Sequence, residues 1–243
     1  MGQFRDMKYL WFILLAVLPS CGGLFRPTPV PVKQLSAGRE DGSELVVFLP
    51  GRWSRVEEFK REQFFEIAAK RWPNARLVAP DLHLGYYKNQ SVARRLHEDV
   101  VLPARRAGVK AVRLVGISMG GLGALIYAVE YPQQADELIL LSPFVGEDDA
   151  LEEIKAAGGL VNWRPGEIAD RDFSRKLWLK IRESWQEKVN RPRILLGCGE
   201  QDRLAGSSRF FANEFLTPGS QLWLAGDHDW PTWRRLFARL IEK

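Results

Sequence analysis

Six short apolar runs recur along this chain, separated by stretches with helical spacing, and that alternation restricts the fold more than any other feature. The runs are ELVVFLP (44–50), ARLVAPD (75–81), AVRLVGIS (111–118), DELILLSP (136–143), RPRILLGCG (191–199) and SQLWLAG (220–226). Short apolar runs bounded by turn residues read as buried strands. VEEFKREQFFEIAAKRW (56–72) places Phe59, Phe64, Ile67 and Ala68 along one side of a helix. SVARRLHEDVVLPARRAG (91–108) opens on a serine and closes on a glycine, the usual helix punctuation, although Pro103 interrupts it. MGGLGALIYAVEYP follows the third strand, and WPTWRRLFARLIEK closes the chain as an amphipathic helix. Strands alternating with helices require right-handed crossovers, so the expected fold class is α/β, a mostly parallel sheet with helices on both faces.

With 243 residues, 46% of them hydrophobic, the chain can bury one substantial core, and residues 44–243 read as one domain. Connections in such sheets are usually short. The exception is 144–190, which contains DFSRKLWLKIRESWQEKVN with Phe173, Leu177, Ile181 and Trp185 at helical spacing. This stretch is either a sheet-packing helix with a long lead-in or a small cap over a pocket.

Residues 1–20 read as an address. MGQFRDMKYL carries positive charge and LWFILLAVL is an apolar core too short for a comfortable membrane span. Leu18-Pro19-Ser20-Cys21 resembles the bacterial lipobox, in which cleavage precedes the cysteine and its thiol is lipidated; the alternative is an ordinary signal peptide. Gly22 after the cysteine, by resemblance to Gram-negative lipoproteins, implies an outer-membrane anchor facing the periplasm. Residues 21–43, rich in Pro and Gly, are expected to form a tether or an irregular entry segment.

Net charge is +5, with basic residues mixed among acids; a solvated surface or contact with anionic lipid would account for it. No basic-aromatic nucleic-acid motif is present. The chain has two cysteines, and lipidation of Cys21 would leave Cys198 without a disulfide partner. The two cysteines and three histidines lack zinc-ligand spacing, so neither a metal nor a cofactor is expected.

Ser118 sits at the joint between the third strand and its helix, flanked by Gly116 and Gly120. A tight strand-to-helix turn needs small neighbours two positions away, and it pushes the serine hydroxyl clear of the sheet. A serine needs a base to become a nucleophile, and an imidazole base needs a carboxylate to fix its tautomer. Of the three histidines, His97 lies within a helix. His83 and His228 follow strands on the rim that carries Ser118, and His83 is the reserve. Asp202 follows the preceding strand, with Glu200 as its local competitor. Asp227 and Asp229 flank His228 too closely in sequence to face its ring, and Asp81 reads as a loop-holding residue.

On GISMGGLGA and GDHDWPTW the chain resembles the α/β-hydrolases, and within them the esterase D-like branch that includes short-chain carboxylesterases. The resemblance runs from about residue 44 to the C-terminal helix. It implies Ser118, Asp202 and His228 as catalytic residues, acting on a small-molecule or lipid ester through an acyl-enzyme. It also implies an oxyanion hole from the backbone N–H of Met119 and that of Arg52, with Trp53 second. Two departures stand out: Asp227 replaces a glycine of the motif, and Leu-Pro-Gly replaces the usual His-Gly. A lipase or lysophospholipase, a thioesterase, a peptidase and a non-catalytic binding lipoprotein share these features. Trp53, Trp163, Trp178 and Trp230 read either as acyl-pocket lining or as core and cap packing.

Overall fold

The computed structural model describes residues 26–185 and 191–243. Seven strands form one sheet in the order β1-β3-β2-β4-β5-β6-β7. They are β1 (Gln34–Gly38), β2 (Glu44–Leu49), β3 (Ala75–Pro80), β4 (Ala111–Ile117), β5 (Glu137–Leu141), β6 (Arg193–Gly199) and β7 (Gln221–Leu224). β2 to β7 are the six runs read from the sequence, and every pairing among them is parallel. This is the expected α/β-hydrolase fold.

Alternation along each strand feeds two layers, because successive side chains point to opposite faces. Leu45, Val47 and Leu49 of β2 face one cluster together with Leu114, Leu138, Leu140 and Leu196. Val46 and Phe48 face the other, with Val115, Ile117, Ile139, Leu141 and Leu195. The second layer is closed by α1 (Glu57–Arg61), α2 (Phe64–Arg71) and α10 (Trp230–Leu240). There Phe64 stacks on Phe237 at 5.0 Å and Phe48 meets Phe59 at 5.3 Å. The single helix expected over 56–72 is therefore two, broken at Gln63, whose φ of 65° no helix accommodates.

The first layer holds α3 (Leu84–Lys88), α4 (Val92–Leu96), α5 (Leu102–Arg106), α6 (Met119–Glu130), α7 (Asp148–Ala156), α8 (Phe173–Trp185) and α9 (Ala205–Phe215). A π-helical turn, His97–Val101, joins α4 to α5. Its wider winding precedes Pro103, whose ring and missing N–H conflict with an unbroken α-helix. Ser91 does not cap α4 through its side chain; its hydroxyl donates to Asn89 instead.

Of the two readings of 144–190, the described part packs as a sheet-covering layer. Leu177, Trp178, Ile181 and Trp185 are buried in the first cluster beside Ala124, Leu125 and Phe211, and α7 contributes Ala150, Leu151 and Ile154. Residues 1–20, expected to be a signal peptide, and Cys21 lie outside the described residues. The tether reading of 21–43 needs correction from residue 26 onward. Residues 34–38 form β1, an edge strand antiparallel to β3, and Val32 is buried. Pro and Gly in this stretch mark a strap and a turn rather than a free linker, because the edge of β3 offers backbone partners.

The parallel strands end together. Leu49 pairs with Gly116, Ile117 with Leu141, Leu141 with Gly197, and Gly199 with Leu224. Loops leaving these ends therefore share one edge of the sheet.

Candidate active site

Ser118 follows β4 at φ 53°, ψ −115°, a backbone conformation costly for any residue with a Cβ. It persists because the surroundings dictate it. Its N–H donates to Leu141 O at 3.0 Å, and its carbonyl accepts from Gly121 N–H at 2.9 Å and Phe144 N–H at 3.0 Å. The flanking glycines are steric requirements. A Cβ on Gly116 would lie 2.5 Å from Gly120 O, and one on Gly120 only 2.0 Å from Leu49 O. The first turn of α6 thus presses on the end of β2, with the Ser118 hydroxyl aimed over the edge. Tyr87 on α3 braces the same turn, its hydroxyl donating to Met119 O at 2.9 Å.

His228 Nε2 lies 3.0 Å from Ser118 Oγ, and His228 Nδ1 lies 2.9 Å and 2.8 Å from the two carboxylate oxygens of Asp202. An ionised carboxylate only accepts, so Nδ1 carries the hydrogen and the Nε2 lone pair faces the serine hydroxyl. The loops carrying the two partners are joined: Gly226 N–H donates to Gln201 Oε1 at 2.7 Å and Gln201 N–H to Gly226 O at 3.1 Å. A Cβ on Gly199 would fall 2.3 Å from Gly226 O, so this approach requires a glycine.

Asp202 is 4% exposed. Burial opposes its charge, but hydrogen bonds from His228, Ser142 and Leu204 N–H outweigh that cost and hold the carboxyl below its ordinary value. Trp233 presents its face or edge to the His228 ring at 4.9 Å and 90°, which fixes the ring plane.

Ser142 and Trp233 were missed in the sequence. Ser142 follows β5 at φ 44°, fully buried; it accepts from Trp233 Nε1 at 3.1 Å and helps to hold the Asp202 carboxyl below its ordinary value. Hydrogen bonds thus run from Asp202 through His228 to Ser118, with the Trp233–Ser142 pair behind the carboxylate. The available signals were the serine ending DELILLSP and the second tryptophan of GDHDWPTW, but neither names its partner.

The other candidates lie elsewhere. His83 is held by Pro27 O at its Nε2 (3.1 Å) and Gly85 N–H at its Nδ1 (3.1 Å). His97 stacks on Tyr131 at 4.1 Å, its pKa lowered by burial. Asp81 pairs with Arg26. Glu200 is exposed, Asp227 accepts from the His228 N–H, and Asp229 caps α10 by accepting from Thr232 N–H at 2.9 Å. Trp163 and Trp178 are buried in the first core cluster, and Trp230 packs between Phe59 and Phe64. Trp53 is 68% exposed beside the site, with the Arg52 guanidinium over its ring at 5.0 Å. Gly51 brings this loop against the Ser118 turn: a Cβ there would stand 3.6 Å from Ser118 Cβ. Among the described residues, no group of three or more His, Cys, Asp or Glu could hold a metal ion.

Comparison with known proteins agrees with the architecture. Est1E from Butyrivibrio proteoclasticus is 17% identical with a TM-score of 0.58, over 87% of this chain and 92% of that one. The S-formylglutathione hydrolase of Staphylococcus aureus is also 17% identical, with a TM-score of 0.57 over 83% of this chain and 80% of that one. A curated 2-hydroxy-6-oxononadienedioate/2-hydroxy-6-oxononatrienedioate hydrolase of Comamonas testosteroni is 53% identical over 36 residues, 15% of this chain and 13% of that one. Residues 87–242 match the Esterase model, described as "Putative esterase". That span takes in Ser118, Asp202 and His228 and most of the chain, and the chain belongs to the Esterase family.

Proposed function

We propose that the chain is a serine hydrolase cleaving carboxylic esters through Ser118, His228 and Asp202. The observation that carries the reading is the continuous contact Ser118 Oγ to His228 Nε2 at 3.0 Å and His228 Nδ1 to Asp202 at 2.8 Å. Ser118 Oγ attacks the ester carbonyl while His228 Nε2 takes its proton. Asp202 holds the imidazole in the productive tautomer and stabilises its charged form. The tetrahedral oxyanion is received by the N–H groups of Met119 and Arg52, a contribution of about 3–4 kcal/mol per donor in comparable sites. Collapse breaks the carbonyl–alkoxy bond, the leaving alkoxide takes the proton from His228, and the acyl group remains on Ser118. Water then attacks that ester with His228 as base, releasing the acid and restoring the serine. The chain's own residues supply every proton transfer.

Cys21, at the end of the lipobox-like Leu18-Pro19-Ser20-Cys21, is proposed to carry a lipid that anchors the domain to the bacterial cell envelope, at the outer membrane facing the periplasm. That anchor favours an amphiphilic ester, of the kind cleaved by a lipase or lysophospholipase, as the second reading. The test is fluorophosphonate labelling beside a chain-length series of p-nitrophenyl esters. Ser118→Ala is expected to lose both labelling and turnover; retained labelling would mean another nucleophile.

A further inference from the structure

Residues 26–33 lie as a strap along the edge of the sheet that bears Ser118. Arg26 pairs with Asp81, and His83 Nε2 donates to Pro27 O at 3.1 Å. The Tyr86 hydroxyl donates to Pro29 O at 2.8 Å, and Val32 N–H donates to Asp99 Oδ2 at 2.9 Å. Asp81 N–H closes the strap on Lys33 O at 2.7 Å. These partners sit in the loop after β3, in α3 and in the π-helical turn. β1 then begins with Gln34 opposite Pro80, the last residue of β3, and runs away from this edge. The chain therefore joins the fold at the site-bearing edge. β3 is separated from β4 by β2 alone, which puts the strap's edge of the sheet about 10 Å from the end of β4 at ordinary strand spacing.

Cys21 precedes Arg26 by five residues, and five residues of chain span at most about 18 Å. A lipid on Cys21 therefore keeps this edge within about 18 Å of the bilayer, whatever path the intervening residues take. The opposite edge, near Gly108 and Gln134, is a further strand length away, about 20 Å.

Most of the exposed large apolar side chains lie at the same edge. Of the four large apolar residues exposed among the described ones, Val30 (70%) is on the strap and Trp53 (68%) follows β2, between strap and nucleophile. Phe173 (41%) opens α8, its ring 6.2 Å from Phe144, whose N–H bonds Ser118 O. Only Val161 lies apart from this rim. Trp and Phe side chains held at a lipid interface remove apolar area from water, which a short anchor alone does not achieve.

We infer that the edge bearing Ser118, rimmed by Val30, Trp53 and Phe173, faces the lipid bilayer, and that the strap fixes this orientation so the site receives its ester from the lipid phase. The inference rests on the proposed lipidation of Cys21. It is tested with the full lipidated chain in phosphatidylethanolamine–phosphatidylglycerol vesicles, against a variant carrying a 30-residue Gly-Ser insertion between Gly23 and Leu24, which retains the anchor but frees the orientation (about 30 Å of added reach for such a coil). Backbone amides of 51–54 and 170–173 are expected to exchange hydrogen several-fold more slowly in the native spacing than in the insertion variant, while those of 106–110 are unchanged. Hydrolysis of a vesicle-borne ester is expected to fall several-fold in the insertion variant, with p-nitrophenyl butyrate turnover unaltered. Equal exchange in the two proteins, or protection of 106–110 instead, overturns the orientation. Absence of a lipid mass increment on Cys21 in the intact mass of the membrane-extracted chain overturns the anchor itself. Because exchange is read without turnover, failure of the esterase reading and failure of the orientation are separate results.

Discussion

Replacing Ser142 with alanine isolates the buried hydrogen bonds behind the triad. The hydroxyl accepts from Trp233 Nε1 at 3.1 Å and helps to hold the Asp202 carboxyl below its ordinary value. Alanine leaves the Trp233 N–H, on a residue 6% exposed, without that acceptor, at a cost of about 1–3 kcal/mol. It also removes a hydroxyl dipole that helps to stabilise the Asp202 charge. Since the two losses share one cavity, about 3 kcal/mol in total is expected. Glycine loses the same bonds but relieves the φ of 44°, so Ser142→Gly should be roughly 1 kcal/mol more stable than Ser142→Ala. The loss also depends on pH. Asp202 is held below its ordinary value of about 3.9. Its ionised form therefore stabilises the fold above that value, and the contribution fades as pH falls through the depressed one. Without the Ser142 hydroxyl the folded-state value rises toward the ordinary one, so the gap between native and variant is full above about pH 4 and narrows below it. Urea midpoints at pH 7 and pH 3 measure this, and kcat on a p-nitrophenyl ester should fall about 10-fold, equivalent to 1.4 kcal/mol in the barrier. A Ser142→Ala variant within 0.5 kcal/mol of native at pH 7, or a gap that does not change with pH, would refute the reasoning.

Asp202→Asn should lower kcat by about 10⁴, because the amide permits the tautomer with hydrogen on Nε2; ester kinetics retaining a tenth of native kcat would contradict that role. Gly120→Ala, with its Cβ 2.0 Å from Leu49 O, should destabilise by about 3 kcal/mol in urea. Gly206→Ala on α9, where a Cβ meets nothing within 4 Å, should instead stabilise by roughly 0.5–1 kcal/mol. Cys198 is fully buried, and burial together with the Asp202 charge pushes its thiol up to about 11, so Ellman's reagent at pH 8 should react only after unfolding.

The sequence by itself determined the parallel sheet, because β2 to β7 are short apolar runs set apart by helical spacing, and β2 to β6 are covered on both faces. It also determined the tight strand-to-helix turn at Ser118, since Gly116, Ser118 and Gly120 satisfy one steric requirement within five residues. The candidates His228 and Asp202 were legible for a related reason: loops leaving parallel strands must gather at one edge. Only the tertiary structure decided which histidine meets Ser118. His83 follows a strand on the same edge, yet it is consumed by the local Gly85 N–H and by Pro27 O, a contact that requires the strap to be docked. β1 was invisible because an edge strand with one partner needs no apolar run. The break at Gln63 was hidden for a different reason, since its left-handed turn is stabilised by the packing of Phe59 and Phe64 rather than by any local preference. Ser142 and Trp233, 91 residues apart, were beyond sequence for the same cause. A hydrogen bond between distant residues leaves no periodicity in the chain, and only the folded backbone brings its ends together.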